Sequence, residues 1–178
     1  MTQSGAKPLV LTVGDPAGVG PEITAKAWAS LRSESDLAFA VIAPFDLIAR
    51  KLNEQNLPSP ILISDLSDVD EVFEIGLPVL NMATTDPVKD GKPSAANAST
   101  ITGSIERGVG HCLAGKADAV VTNPIAKDVL YQSGFKYPGH TEFLGVLTSE
   151  HETPYERGPL MMLANDCLLY TSPSPRDA

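Results

Sequence analysis

Pro8-Leu9-Val10-Leu11-Thr12-Val13-Gly14-Asp15-Pro16-Ala17-Gly18-Val19-Gly20-Pro21-Glu22 is the stretch whose reading decides the fold. Its first six residues form a short apolar run with β-branched members, which reads as a buried strand. Glycines and prolines then interrupt the chain. Pro21 and Glu22 suit the first turn of a helix: proline has no needed N–H to lose there, and a carboxylate faces the positive end of the dipole. The helix is expected to continue through Ile23, Ala27 and Leu31. Strand, glycine loop and helix is the arrangement that offers backbone N–H groups to an anion. A Gly-x-Gly-x-x-Gly fingerprint begun at Gly18 would need a third glycine where Ile23 stands, and no Gly-Lys-Ser/Thr follows, so the loop carries no recognised nucleotide motif. A tight strand-to-helix connection is the alternative reading.

Working outward, further strands are predicted at 37–43, 61–64, 117–122 and 160–164, and 77–82 is another short apolar run. Helices are predicted from Pro44-Phe45-Asp46 through Leu47, Ile48 and Leu52, from Ser94 through Ala98, Ile101, Ile105 and Cys112, and after Asn123-Pro124 through Leu130. Gly115 stands where a helix C-terminal glycine belongs. The acidic run 65–74 reads as a solvated face or loop, and 86–93 as a polar connection in which Lys89 and Lys92 are solubilising charges. Strands alternating with helices predict an α/β fold built on a mainly parallel, layered sheet. Ligands of such sheets bind beyond the carboxyl ends of the strands. Thr122, Asn123 and Lys127 are therefore candidate site-lining residues, with a surface lysine as the other reading of Lys127.

A second informative stretch is Gly134-Phe135-Lys136-Tyr137-Pro138-Gly139-His140-Thr141-Glu142-Phe143-Leu144. An imidazole, a hydroxyl, a carboxylate and an ammonium crowd a turn framed by glycines and a proline. Thr141 is expected to cap a helix beginning at Glu142, leaving His140 beside N–H groups suited to an anion or a substrate hydroxyl. A capped surface turn, with His140 filling a polar gap, is the competing reading. His111 lies near a helix end and reads as structural; His151 lies in an exposed polar run.

With 22 acidic against 13 basic residues the 178-residue chain carries a net charge of −9, which argues against nucleic acid or an anionic membrane as partner. Cys112 and Cys167 stand far apart, outside any Cys-x-x-Cys pair; they suit a reducing compartment and offer no metal or redox signature. No stretch reaches membrane-spanning length and no leader pattern opens the chain, so the expected location is cytoplasmic. Beyond Cys167 the composition shifts into Thr171-Ser172-Pro173-Ser174-Pro175, which reads as disordered.

Four segments in order carry a resemblance: Gly14-Asp15-Pro16-Ala17-Gly18-Val19-Gly20-Pro21-Glu22, Val121-Thr122-Asn123-Pro124-Ile125-Ala126-Lys127, Pro138-Gly139-His140-Thr141-Glu142-Phe143-Leu144 and Met161-Met162-Leu163-Ala164. Together they resemble the 4-hydroxythreonine-4-phosphate dehydrogenases of pyridoxal 5′-phosphate biosynthesis, over residues 8–167 and about the N-terminal half of a family member. The resemblance implies a layered α/β/α fold like that of isocitrate and isopropylmalate dehydrogenases, incomplete here, in a homodimer with the site in a cleft between two domains. It implies NAD-dependent oxidation of a small phosphorylated hydroxy acid, 4-phosphooxy-L-threonine, followed by decarboxylation assisted by a divalent metal (Zn, Mg or Co). It carries the substrate-binding pair onto His140 and Thr141 and leaves the catalytic residues unassigned. The family's metal is held by three histidines, the first soon after the Met-Met-Leu-Ala segment, and no histidine follows His151 in this chain. The expectation is therefore that residues 1–167 are the N-terminal portion of such a dehydrogenase and 168–178 a disordered tail foreign to it, from a truncated or frame-shifted coding sequence. The polypeptide alone is expected to be inactive, with no metal ligands and no cofactor bound. A dehydrogenase of threonate or erythronate 4-phosphate, and a non-catalytic fragment, are the other readings.

Overall fold

In the computed structural model, residues 6–34, 37–151, 162–164 and 169–171 are described. The opening run forms β1 (Leu9–Thr12), and Gly20–Leu31 form α1 with Pro21 in its first turn. There follow β2 (Phe39–Ala43), α2 (Phe45–Glu54), β3 (Ile61–Ile63), α3 (Val69–Val72), β4 (Pro78–Asn81), α4 (Ala98–Leu113), β5 (Val120–Val121) and α5 (Lys127–Gln132). The five strands make one parallel sheet in the order β3-β4-β2-β1-β5. Val10 of β1 lies between Ala40 of β2 and Val120 of β5. The chain leaves β1 toward β2 and later crosses back to β5 on the other side of β1. Right-handed crossovers then put α1 and α4 on opposite faces, giving the layered α/β class the alternation predicts. All of β2 is buried, as a strand covered on both faces must be, which explains why it reads as an unbroken apolar run.

α2 buries Leu47, Ile48 and Leu52, as their spacing predicts. The helix expected through Ile23, Ala27 and Leu31 forms, and its orientation is a finding of its own, while two other expectations need correction. α1 turns Thr24, Ala25 and Trp28 inward, while Ile23 is 43% exposed. Polar bonds decide that rotation: Trp28 Nε1 donates to the carbonyl of Phe73 at 2.7 Å, and the Thr24 hydroxyl accepts from Asn123. The acidic run 65–74 is not simply solvated. Leu66, Val69 and Phe73 recur at helical spacing and are buried, with Phe73 edge-on against Phe39 at 5.0 Å. β5, expected over 117–122, pairs through only two residues.

Residues Lys136–Ala178 form a second compact unit, distinct from Met1–Phe135. It contains α6 (His140–Leu147), β6 (Met162–Ala164) and β7 (Leu169–Thr171), with β6 and β7 paired antiparallel. β7 falls inside the segment read as a disordered tail; residues 165–168 and 172–178 lie outside the described set, as does the rest of the strand expected from 160. Among the described residues no helix is long and apolar enough to cross a membrane.

Candidate functional site

β1 and β5 are neighbours whose connections leave in opposite directions, so the crevice beyond Thr12 and Val121 is where a parallel sheet usually takes its ligand. Here protein fills it. Asn123 donates its backbone N–H to Thr12 Oγ1 (3.1 Å), and its side-chain amide to the Thr12 carbonyl (2.7 Å) and to Thr24 Oγ1 (2.9 Å). The Asp15 N–H reaches the carbonyl of Pro124 at 2.9 Å. A Cβ on Gly14 would lie 2.6 Å from the Pro124 oxygen and 2.7 Å from Asn123 Cβ, and Gly14 sits at φ +69°. A Cβ on Gly20 would lie 2.6 Å from the Val13 oxygen. Both glycines admit close backbone packing between two loops, so the tight-connection reading of this segment holds and the anion-cradle reading does not. Asn123 is likewise committed inward: its amide donors face Thr12 and Thr24 within the protein, whereas Thr122 is half-buried and Lys127 exposed.

Asp15-Pro16-Ala17-Gly18 places aspartate, proline and glycine where a type I turn favours them. Gly18 N donates to the Asp15 carbonyl (3.0 Å) and Ala17 N to Asp15 Oδ1 (2.9 Å). Asp15 is 4% exposed, and its Oδ2 is buried without a hydrogen-bond partner among the described residues. Burial pushes its carboxyl up; the Ala17 N–H opposes that, and the charge of Asp128 adds to it.

The open space lies elsewhere. A groove of about 660 Å³ opens at the carboxyl ends of β2 and β4, between the start of α2 and the connection after β4. Phe45, Leu62 and Met82 supply apolar walls, and Asp46, Arg50 and Thr84 polar ones. Asn81 Oδ1 accepts from Phe45 N (2.9 Å) and so closes the first turn of α2. The polar character of 86–93 was legible in the sequence. That Asp90 binds Arg50 and Lys51, some forty residues earlier, had no local signal.

The second unit carries the predicted substrate pair. α6 begins at His140, with Gly139 as its N-cap in an extended conformation (φ −175°). Thr141 is thus inside the first turn and not the cap, because glycine takes that position without using a side chain. His140 and Thr141 are both half-buried and adjacent, at the end of a helix whose first N–H groups have no intrahelical acceptor. Phe143 is buried against Tyr137, with ring centroids 5.1 Å apart, and anchors the turn.

The implied metal finds no donor set here: among the described residues no three His, Cys, Asp or Glu side chains gather to hold an ion. His111 ends α4, His140 starts α6 and His151 is exposed. Nor does the packed glycine loop fit a dinucleotide.

The family described as pyridoxal phosphate biosynthetic protein PdxA matches residues 34–172. The 4-hydroxythreonine-4-phosphate dehydrogenase of Caulobacter vibrioides is 43% identical over 159 residues, covering 89% of this chain and 46% of the relative. That of Xanthobacter autotrophicus is 37% identical over 161 residues, again 46% of its length. The crystal structure of a 4-hydroxythreonine-4-phosphate dehydrogenase from Burkholderia phymatum superposes with a TM-score of 0.78 at 28% identity, over 93% of this chain and 49% of that one. The chain spans about half the length of the curated relatives it matches. With the parallel sheet, the four ordered motifs and these matches in agreement, the chain belongs to the PdxA family.

Proposed function

We propose that residues 1–167 are the N-terminal portion of an NAD-dependent, divalent-metal-requiring dehydrogenase that oxidises and decarboxylates 4-phosphooxy-L-threonine on the way to pyridoxal 5′-phosphate. The intact protein works as a cytoplasmic homodimer. The observation that carries this reading is the family match across most of the chain, joined to a Gly-His-Thr-Glu segment that opens a helix. His140 and Thr141 bind the substrate: the imidazole and hydroxyl contact its polar groups, while the N–H groups at the start of α6 favour negative charge. NAD would accept the hydride and the metal would stabilise the developing oxyanion.

The 178-residue polypeptide alone turns nothing over, since its histidines are limited to His111, His140 and His151. Given the phosphorylated substrate, NAD and Mg²⁺ or Zn²⁺, it should form no NADH, and clear turnover would overturn this. A protein of the relatives' length containing residues 1–167 should form NADH. His140→Ala in that protein should lower kcat/KM by about ten- to a hundredfold, the worth of one hydrogen bond to a charged group. Retained activity in that variant would remove His140 from the site. Running threonate and erythronate 4-phosphate beside 4-phosphooxy-L-threonine decides the substrate.

A further inference from the structure

We propose that residues 86–93 act as a charge-latched strap that ties α2 to the β1–α1 loop and keeps that loop in its folded form. Asp90 is the latch. Arg50 grips its carboxylate with both ends of the guanidinium, Nη1 to Oδ2 at 2.9 Å and Nη2 to Oδ1 at 3.0 Å, and Lys51 Nζ adds a third bond at 2.6 Å. Both cations also reach Glu54, at 3.1 and 2.9 Å. The next residue delivers the hold: Gly91 N donates to the Ala17 carbonyl at 2.8 Å, within the turn that Asp15 and Gly18 close. Lys92 N to the Lys89 carbonyl (3.0 Å) completes the hairpin, and Gly91 takes its corner at φ +70°. Two consecutive residues thus join elements far apart in sequence.

An isolated exposed ion pair contributes little, because water and salt screen it. This one differs in two respects. The guanidinium engages in the planar two-bond geometry, and the Lys51 side chain is only 8% exposed. The base of the strap is anchored by Val88, packed against the core, and by Asp86, bonded to Asn97 and Ser94. At its tip packing supplies little competing hold, since residues 89–93 are all exposed and no atom lies within 4 Å of where a Cβ on Gly91 would stand. The tip of the strap is therefore held by charge, and it can release while Val88 stays on the core. The inference is independent of the reaction proposed above.

Amide hydrogen exchange on the 178-residue chain tests it. Asp90→Asn should speed exchange at Ala17, Gly18 and Gly91 by about tenfold or more, with amides of the β1–β2 ladder within about twofold of wild type. Arg50→Gln should do the same from the other partner. Raising salt to about 1 M, where screening acts over roughly 3 Å, should loosen the wild-type loop and change Asp90→Asn little. Unchanged loop exchange in both variants would overturn the proposal. So would a uniform rise across loop and sheet, which would make Asp90 a general stabiliser, or a loop response in wild type that ignores salt.

Discussion

Replacing Asn123 by alanine is the sharpest trial of the junction between the β1–α1 and β5–α5 loops. Asn123 is 7% exposed, and its amide donates to the Thr12 carbonyl at 2.7 Å and to Thr24 Oγ1 at 2.9 Å. Truncation removes both donors, strands two acceptors that are themselves buried, and leaves a void. At about 1 kcal/mol per lost bond, plus about 1 kcal/mol for the void and the unpaired oxygens, the cost is about 2–4 kcal/mol. Trp28, the chain's single tryptophan, is fully buried next to Thr24 on α1 and reports unfolding of this unit in urea by fluorescence. The midpoint should fall by about 1 M or more, given slopes of about 1–3 kcal/mol per molar urea. Asn123→Asp keeps the shape but turns a carboxylate on the Thr12 carbonyl. The new acid would have a folded pKa above its unfolded value, so the variant should be worst at neutral pH and recover as pH falls through that raised value. A cost for Asn123→Ala below about 0.5 kcal/mol, or an Asn123→Asp defect that deepens in acid, would refute the reasoning.

The two glycines with similar φ separate strain from crowding. Gly14→Ala, at φ +69° with Pro124 O only 2.6 Å away, should cost at least about 3 kcal/mol, whereas Gly91→Ala, at φ +70° in open space, should cost about 1–2 kcal/mol by the same urea melt. Asp15→Asn should raise the melting temperature at pH 7, because the buried carboxyl is pushed up and its charged form opposes folding; the gain should shrink as pH falls toward the carboxylate range, where Asp15 takes up its proton. At two other groups acid should weaken the fold. Lys116 and the Ser67 N–H hold Asp65 down to about 2, so its contribution, full above about pH 4, is lost between there and about 2. Burial and the charges of Arg107 and Lys116 push His111 down, so its neutral form is favoured and stability should begin to decline as pH drops below about 6.5. Melting temperatures of His111→Gln and Lys116→Met across pH 7 to 3 check both, the first flattening the upper part of the decline and the second the lower.

How much of this was legible follows from the range over which each interaction acts. The strand, loop and helix at residues 8–31 announce themselves because burial on both faces and first-turn chemistry are local. The helix through Ile23, Ala27 and Leu31 is legible, but nothing local says which of its faces turns inward. The bond from Asn123, 99 residues on, and that from Trp28 to Phe73 turn the face of Thr24 and Trp28 inward. Asn123 was found by its place after a strand and misjudged in its direction for the same reason. The short strand β5 was overdrawn because Ala117 and Ala119 fit a strand pattern, although only Val120 and Val121 pair. The helix starts at His140, two residues before the expected Glu142: Thr141 carries the better capping side chain, but Gly139 reaches the extended cap geometry first.

The two glycine-bearing motifs therefore divide the labour differently than their composition suggests. A loop in which a Cβ on Gly14 would already lie within 2.7 Å of Pro124 and Asn123 has no room there to bring its backbone against a phosphate unless the junction moves apart. That movement would strip Asn123 of its partners at the cost worked out above. Gly139 meets no such constraint of handedness, since its extended backbone is open to any residue, and it leaves His140 and Thr141 to begin α6. On the proposed reading, recognition of a negatively charged hydroxy acid by a chain of net charge −9 then rests on the short-range field at one helix start, with a hydroxyl and an imidazole beside it. The strand-end junction is a set of buried hydrogen bonds, so an alteration there should appear first as lost stability, and one at His140 as lost substrate affinity with the urea midpoint unchanged.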